Sequence, residues 1–368
     1  MKLRHAAVAA ALVMLAVPAG ATAAKGKDKK EEVTVMSRNI YLGADLGPAI
    51  GAPDIESAID GAGQIYNEVA RTNFPERAVA LADEIKDAKA DLVGVQEAAL
   101  WQQQIPSDLG GPPIGPGTVP ASDVAYDFRE LLMDQLGKKY RVVVEQEEFT
   151  GELPADVNGV DEPGSVAGED LDFRLTMHDM IIARKGVKTK KDKSGHYENR
   201  FETSIGGIPV FADRGWVSTQ AKVGRAKFRF VNTHLEAFGD PAIRAAQAEE
   251  LVKGPAKSKK DVVLVGDMNS DKDDTDGSQE AYDVIRDAGF VERQVKGGTS
   301  GHDDSLTDPN DQDQFRRTID FVFVNNKKIK LDKKNSEIVG RDDPSVMTPS
   351  GLWPSDHAGV ASSLLFPR

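Results

Sequence analysis

Six short stretches hold the side chains with the types and spacing to do chemistry. Asn39 closes the run 33–41, and Glu97 follows the apolar Leu92-Val93-Gly94-Val95. Asn232 and His234 lie in "VNTHLE", Asp267 and Asn269 in "VGDMNS", Asp320 in "TIDFVFV", and Asp356 and His357 adjoin in "SDHAGV". Side chains two apart on a strand share a face, so Asn232 and His234 reach one site, and so do Asp267 and Asn269. Each has an ordinary alternative: a turn cap for Asn39, surface charge for Glu97, an Asx turn for Asp267-Met268-Asn269, a surface dipeptide for Asp356-His357. Asp320 is harder to explain away. A carboxylate in an apolar strand is costly unless paired, and histidine is a natural partner. Taken together, carboxylate oxygens suit Mg²⁺ or Mn²⁺, with Ca²⁺ as a further alternative. Two histidines suit proton transfer and contact with an anionic oxygen. Two asparagines position groups without adding charge. That set fits metal-assisted attack of water on a phosphoester.

Positioning these residues requires strands that end in polar side chains. Strand patterns occur at 33–41, 91–98, 140–149, 179–187, 215–223, 227–237, 261–266, 317–326 and 357–366. The pair 215–223 and 227–237, separated by Gly224-Arg225-Ala226, reads as a hairpin. Helical spacing marks 73–90, where Ala78, Leu81, Ala82 and Ile85 recur on one face, and also 125–137, 241–254 and 278–290. Residues 106–122 are too rich in glycine and proline for either element and read as a long exposed loop. The acidic tract 270–280 is a second loop, without the ligand spacing of an EF-hand. Strands and helices interleave over the whole length, with no composition shift and no repeat.

Residues 1–24 have a basic start, an apolar middle and a small-residue Ala21-Thr22-Ala23 end, the pattern of an export signal cleaved near Ala23-Ala24. A charged tether is expected at 25–32 and one domain at 33–368. The expected protein is secreted, extracellular or held in the cell envelope, monomeric, and without a transmembrane segment in the mature chain. The chain has 368 residues and no cysteine, which excludes a thiol nucleophile and zinc–thiolate sites. Its net charge of −13 argues against tight non-specific binding of nucleic acid. It does not exclude a nuclease that neutralises its substrate with metal ions. No G-x-S-x-G or H-E-x-x-H occurs, which disfavours a serine hydrolase and a zinc protease.

The stretches "SRNIY", "GVQEA", "VNTHLE", "VGDMNS", "TIDFVFV" and "SDHAGV" resemble, in their order, the endonuclease/exonuclease/phosphatase superfamily of deoxyribonuclease-like metal hydrolases. The resemblance implies a four-layered α/β sandwich, two mixed sheets packed face to face with helices outside. It also implies roles. Glu97 would be the principal metal ligand with Asn39 beside it, and Asp356 a further metal-side carboxylate. Asp267 would orient or activate the attacking water, Asn269 would hold the scissile phosphate, and His234 would contact a phosphate oxygen or the leaving group, with Asn232 near it. Asp320 would orient His357, which would stabilise the transition state. By the same analogy His178 borders the cleft and Arg214 sits at its rim as a phosphate contact, with a structural salt bridge as its alternative. Trp101 and the 106–122 loop would cover the substrate. The implied function is a secreted Mg²⁺-dependent phosphoesterase. A nuclease, a sphingomyelinase-like lipid phosphodiesterase and an inositol-phosphate phosphatase share such a core, and a non-catalytic binding relative is the alternative outside enzymes.

Overall fold

The computed structural model describes residues 30–109, 119–159, 170–205, 208–273, 278–310 and 314–367. The expected export signal and residues 25–29 of the tether lie outside the described residues, as do 110–118 of the first expected loop and 274–277 of the second.

Strong alternation of apolar residues in strands and 3.6-residue spacing in helices produce the element order β1 (Glu31–Asn39), α1 (Gly47–Ile50), α2 (Ile55–Arg71), α3 (Phe74–Asp87), β2 (Leu92–Gln104), β3 (Asp123–Asp127), α4 (Phe128–Leu136), β4 (Tyr140–Ala155), β5 (Leu171–Arg184), β6 (Lys188–His196), β7 (Phe201–Ile205), β8 (Ile208–Ala212), β9 (Gly215–Val223), β10 (Ala226–His234), α5 (Pro241–Lys253), β11 (Val262–Asp267), α6 (Glu280–Asp287), β12 (Val291–Glu292), β13 (Asp320–Val324), β14 (Lys330–Leu331), β15 (Glu337–Val339) and β16 (Gly359–Phe366). One sheet runs β14-β16-β1-β2-β5-β4, with β15 beside β16 and β3 beside β2; the other runs β12-β13-β11-β10-β9-β6. Both are mixed: β1 is parallel to β2 and antiparallel to β16, while β10 is parallel to β11 and antiparallel to β9.

The sheets stack on an apolar layer in which Val33, Val35, Ile181 and Leu364 of the first meet Val217, Phe230, Val263 and Val322 of the second. Helices α2, α3 and α4 cover the outer face of the first sheet, and α5 and α6 that of the second. This is the expected four-layered α/β sandwich. Caps fix the helix starts. Asp54 accepts from Ser57 N, Asp127 from Arg129 N and Glu130 N, and Asp240 from Ala242 N ahead of Pro241.

Several boundaries differ from expectation. Glu31 and Glu32, placed in the tether, are strand residues paired with Phe366 and Leu365. The expected helix 125–137 begins with the strand β3, because Asp127 caps α4 and so sets its first turn at Phe128. Strands β4 and β5 run well beyond 140–149 and 179–187, forming a long antiparallel ribbon from Tyr140↔Arg184 to Ala155↔Leu171. Helix α2 and the separate two-stranded β7–β8 hairpin were not expected. The acidic loop is not wholly solvated: Ser270 and Asp271 are buried, and Ser270 Oγ donates to Ser278 O. No helix among the described residues is long and apolar enough to cross a membrane.

Candidate active site

The six stations meet at one end of the two sheets. Parallel β10 and β11 end side by side at His234 and Asp267, and antiparallel β13 begins there at Asp320, opposite Asp267. In the other sheet, β1 ends at Asn39, and Ser355 Oγ donates to Asn39 O, tying in the segment that carries Asp356 and His357. Glu97 arrives differently. Between Val95 and Ala98 the pairing of β2 with β5 is broken by a bulge, and Glu97 takes a left-handed φ of 61°. A bulge re-aims a side chain, and strain of this kind persists where the surroundings hold it. Leu42 N donates to Glu97 Oε2 at 2.8 Å and Asn39 Nδ2 to Glu97 Oε1 at 2.9 Å, which supplies that hold. Asn269 is likewise left-handed at φ 47°, with its N–H on Asp267 Oδ1 at 2.8 Å.

Asn39 has one defined orientation. Tyr41 N–H donates to its Oδ1 at 2.9 Å, so its amide N–H groups face Glu97 and, at 3.1 Å, Asp267 Oδ2. It thus bridges the two carboxylates as a donor; its oxygen, the atom a metal would need, is turned onto the backbone.

His357 Nδ1 lies 2.8 Å from Asp320 Oδ2 and 3.7 Å from Asp267 Oδ2, while Nε2 is 4.0 Å from Asp356 Oδ2. Burial alone would discharge this imidazole, but Asp320, Asp356 and Asp267 outweigh it and raise His357 well above the usual histidine range. His234 is the opposite case. Burial, then the charges of Arg214 and His357, hold it well below that range. Arg214 Nη1 sits 3.1 Å from His234 Nδ1. A guanidinium can only donate, and so can the Asn269 amide nitrogen, 3.1 Å from the other ring nitrogen; both nitrogens of the uncharged His234 ring therefore face donors, and these neighbours select no single tautomer at Nδ1 or Nε2. His234 Nε2 lies 3.6 Å from Asp267 Oδ2 and 4.0 Å from Glu97 Oε1.

The carboxylates are under-compensated. Burial and then Asp356 push Glu97 up, burial pushes Asp356 up, and burial and then Asp320 push Asp267 up to about 6. Asp320 Oδ1 is buried and has no hydrogen-bond partner among the described residues. Oxygen donors in excess of positive charge, one of them unpartnered, fit a hard divalent cation. Asp267, Asp320 and His357 also bring ligand-type atoms within 4.8 Å of one another.

Two expected site residues lie elsewhere. Asn232 is fully buried between the sheets: it accepts from Gln96 Nε2 at 2.5 Å and donates to Val95 O and Met180 O, which leaves no group for substrate. The strand facing it from the other sheet, β2, carries Gly94, where any Cβ would come within 2.4 Å of Asn232 Oδ1. His178 occupies the face of β5 away from the cleft, where Nδ1 donates to Ala98 O and Nε2 accepts from Arg129 Nη1. Arg214 does line the cleft, held by Glu236 at 3.5 Å. Trp101 is also at the cleft, but as part of its wall, with Nε1 on Leu42 O and its ring stacked on Phe173.

The residues not anticipated are those that hold the others. Buried Arg38 donates to Glu84, Asn39 O and His357 O, joining α3 to two stations. Buried Arg77 donates to the carbonyls of Thr72, Ile40, Tyr41 and Pro354. Glu148 and Asp179 are buried near Arg214, and their oxygens make no hydrogen bond of normal geometry among the described residues. Both carboxyls are held well above the usual range, first by burial.

Residues 62–357 match the model of the Endonuclease/Exonuclease/phosphatase family. The chain belongs to that family. It is therefore a member of a group of phosphoester hydrolases. Solved structures agree on the fold. An endonuclease/exonuclease/phosphatase family protein from Bacteroides thetaiotaomicron is 15% identical, with a TM-score of 0.52, over 92% of this chain and 100% of that one. A mannosyl-6-phosphatase of the same species is 16% identical, with a TM-score of 0.51, over 91% and 100%. A family protein from Bacteroides vulgatus is 18% identical, with a TM-score of 0.51, over 92% and 100%. No protein of curated function matches the sequence.

Proposed function

We propose that this chain is an exported, Mg²⁺-dependent phosphodiesterase that hydrolyses its substrate by direct attack of water. The observation that carries this reading is the convergence of Glu97, Asp267, Asp320 and Asp356 on a raised His357 and a lowered His234. Export rests on the leader-like residues 1–24.

Glu97 and Asp356 would hold the cation, with Asp267 across from them. When bound, it would neutralise phosphoryl oxygens and acidify the water near phosphorus. Asn39 spaces Glu97 from Asp267 and keeps both aimed into the cleft. Asp267 accepts from Asn39 and Asn269, and at about 6 its pKa is close to the neutral range in which a general base works best. It takes the proton of the attacking water. His357, protonated and steered by Asp320, presents Nε2–H to the charge that builds on phosphorus-bound oxygen. Neutral His234, held between Arg214 and Asn269, lines the phosphate site without adding charge. Asn269, at the same rim, positions the phosphate.

The test is hydrolysis of bis(4-nitrophenyl) phosphate by the mature chain after EDTA treatment, with and without Mg²⁺ or Mn²⁺. Activity that returns only with the cation is the expected result. Equal activity in EDTA, or none with any divalent ion, would overturn the reading.

A further inference from the structure

Resting on that reading, we propose that the substrate is an amphiphilic phosphodiester, one of whose ester substituents is a long apolar chain seated in the cleft beside the catalytic cluster. Glu97, His234, Asp267, Asp356 and His357 form only one end of a continuous cavity of about 470 Å³. Small-ligand sites run from roughly 300 to 1,000 Å³, so this one accommodates a substituent and not a polymer. Most of its remaining wall is apolar. Ile50 follows from α1, Ile65 from α2, Leu153 from β4, Phe173 from β5, Ile205 from β7, and Phe238 from the segment after β10.

Part of the wall comes from an element outside the two main sheets. The β7–β8 hairpin pairs with neither main sheet; β7 approaches α1 and β8 approaches the distal part of the β4–β5 ribbon. Together they enclose a trough that opens from the carboxylates. Apolar walls facing water are unfavourable by about 25 cal/mol per Å², and a large apolar patch continuous with a catalytic centre marks where substrate sits.

Charge argues the same way. Away from the catalytic histidines the lining has two arginines, Arg214 and Arg317, while Asp45, Glu152 and Asp304 add negative charge. Arg214 is already engaged by Glu236 and His234. A nucleic-acid groove needs a row of cations along the backbone, and a sugar phosphate needs hydrogen-bonding walls. A hydrocarbon chain needs neither.

In the reaction the oxygen of water bonds to phosphorus, the bond from phosphorus to the leaving oxygen breaks, and the apolar substituent stays with the phosphoryl group. The test holds the leaving group constant. The 4-nitrophenyl diesters of methyl, butyl and octyl phosphate, all below their micelle concentrations, are compared with the 4-nitrophenyl ester of thymidine 5′-phosphate under saturating Mg²⁺. Each seated methylene adds about fourfold to binding (about 0.8 kcal/mol). We expect kcat/KM to climb at least tenfold from methyl to octyl, with the octyl ester above the thymidine ester. In Leu153→Asp the octyl-to-methyl ratio should collapse towards one. That ratio is taken within one preparation, so a partly misfolded fraction cancels. Hydrolysis with a flat chain-length profile, or preference for the thymidine ester, would overturn the apolar seat while leaving the phosphodiesterase reading intact. A Leu153→Asp protein that keeps the full ratio would overturn the placement. No hydrolysis of any ester would remove both.

Discussion

Replacing Asp320 with asparagine separates catalysis from folding. The side chain keeps its size, but His357 Nδ1, 2.8 Å away, loses an anionic acceptor. Two unit charges about 4 Å apart at an effective dielectric near 20 interact by about 4 kcal/mol, and a buried hydrogen bond to a charged group contributes about 1.5–3 kcal/mol. If that interaction steers the protonated imidazole in the transition state, Asp320→Asn should lower kcat by roughly 30- to 1,000-fold. His357 should also lose its elevation, since burial, which opposes the charge, then meets fewer carboxylates. Residual activity should therefore fall as pH rises through a lowered histidine transition, where the wild type holds its rate. Folding should change little. Asp320 is one of the charges that raise Asp267, so the amide relieves a like-charge contact as it removes a hydrogen bond. The assay is the pH–rate profile on bis(4-nitrophenyl) phosphate beside the thermal midpoint. A variant within threefold of wild-type kcat at every pH would refute the reasoning, and so would a loss of rate that merely follows unfolding.

Arg77→Met removes the donor for four buried carbonyls. Each unsatisfied group costs about 1–3 kcal/mol, partly offset by releasing a buried cation, so urea unfolding should show a loss of roughly 3–5 kcal/mol; a loss under about 1 kcal/mol would contradict the clamp. Glu148→Gln should act the other way. Burial, then Asp179, hold the Glu148 carboxyl well above its usual value, outweighing Arg214. Its contribution to stability is therefore complete in acid and lost as pH rises through the folded pKa. The variant should melt higher than wild type at neutral and alkaline pH, with the two curves converging in acid; parallel curves would show that Glu148 is not carrying buried charge.

What was legible in the sequence follows from locality. Strand ends announce themselves when an apolar run stops at a polar residue, and Asn39, His234, Asp267 and His357 lie where such runs end or begin. Asp320 was readable because a carboxylate among apolar neighbours needs a partner. The resemblance supplied their common site. Asn232 misled because strand alternation sets a face but not depth. It shares a face with His234, yet it points between the sheets where Gly94 makes room. Helix α2 was hidden by Gly61 and Gly63, which lower helix propensity. Their cause is tertiary: a Cβ at 61 would come within 2.5 Å of Pro48 O, and one at 63 would run into Asp156 O. Arg38, Arg77, Glu148 and Asp179 look like surface charge in the sequence. Only partners distant in sequence show them to be buried, and such partners leave no local pattern.

The central claim is that Glu97 and its neighbours form a divalent-cation site, and it can be tested without knowing the substrate. Mn²⁺ titrated into EDTA-treated mature protein, followed by electron paramagnetic resonance of the free ion, measures occupancy directly. Wild type should bind Mn²⁺ and lose it to excess Mg²⁺, and Glu97→Gln, which removes one anionic oxygen donor from a buried site, should bind at least tenfold more weakly. Equal binding by the two proteins, or no binding by either, would contradict the account.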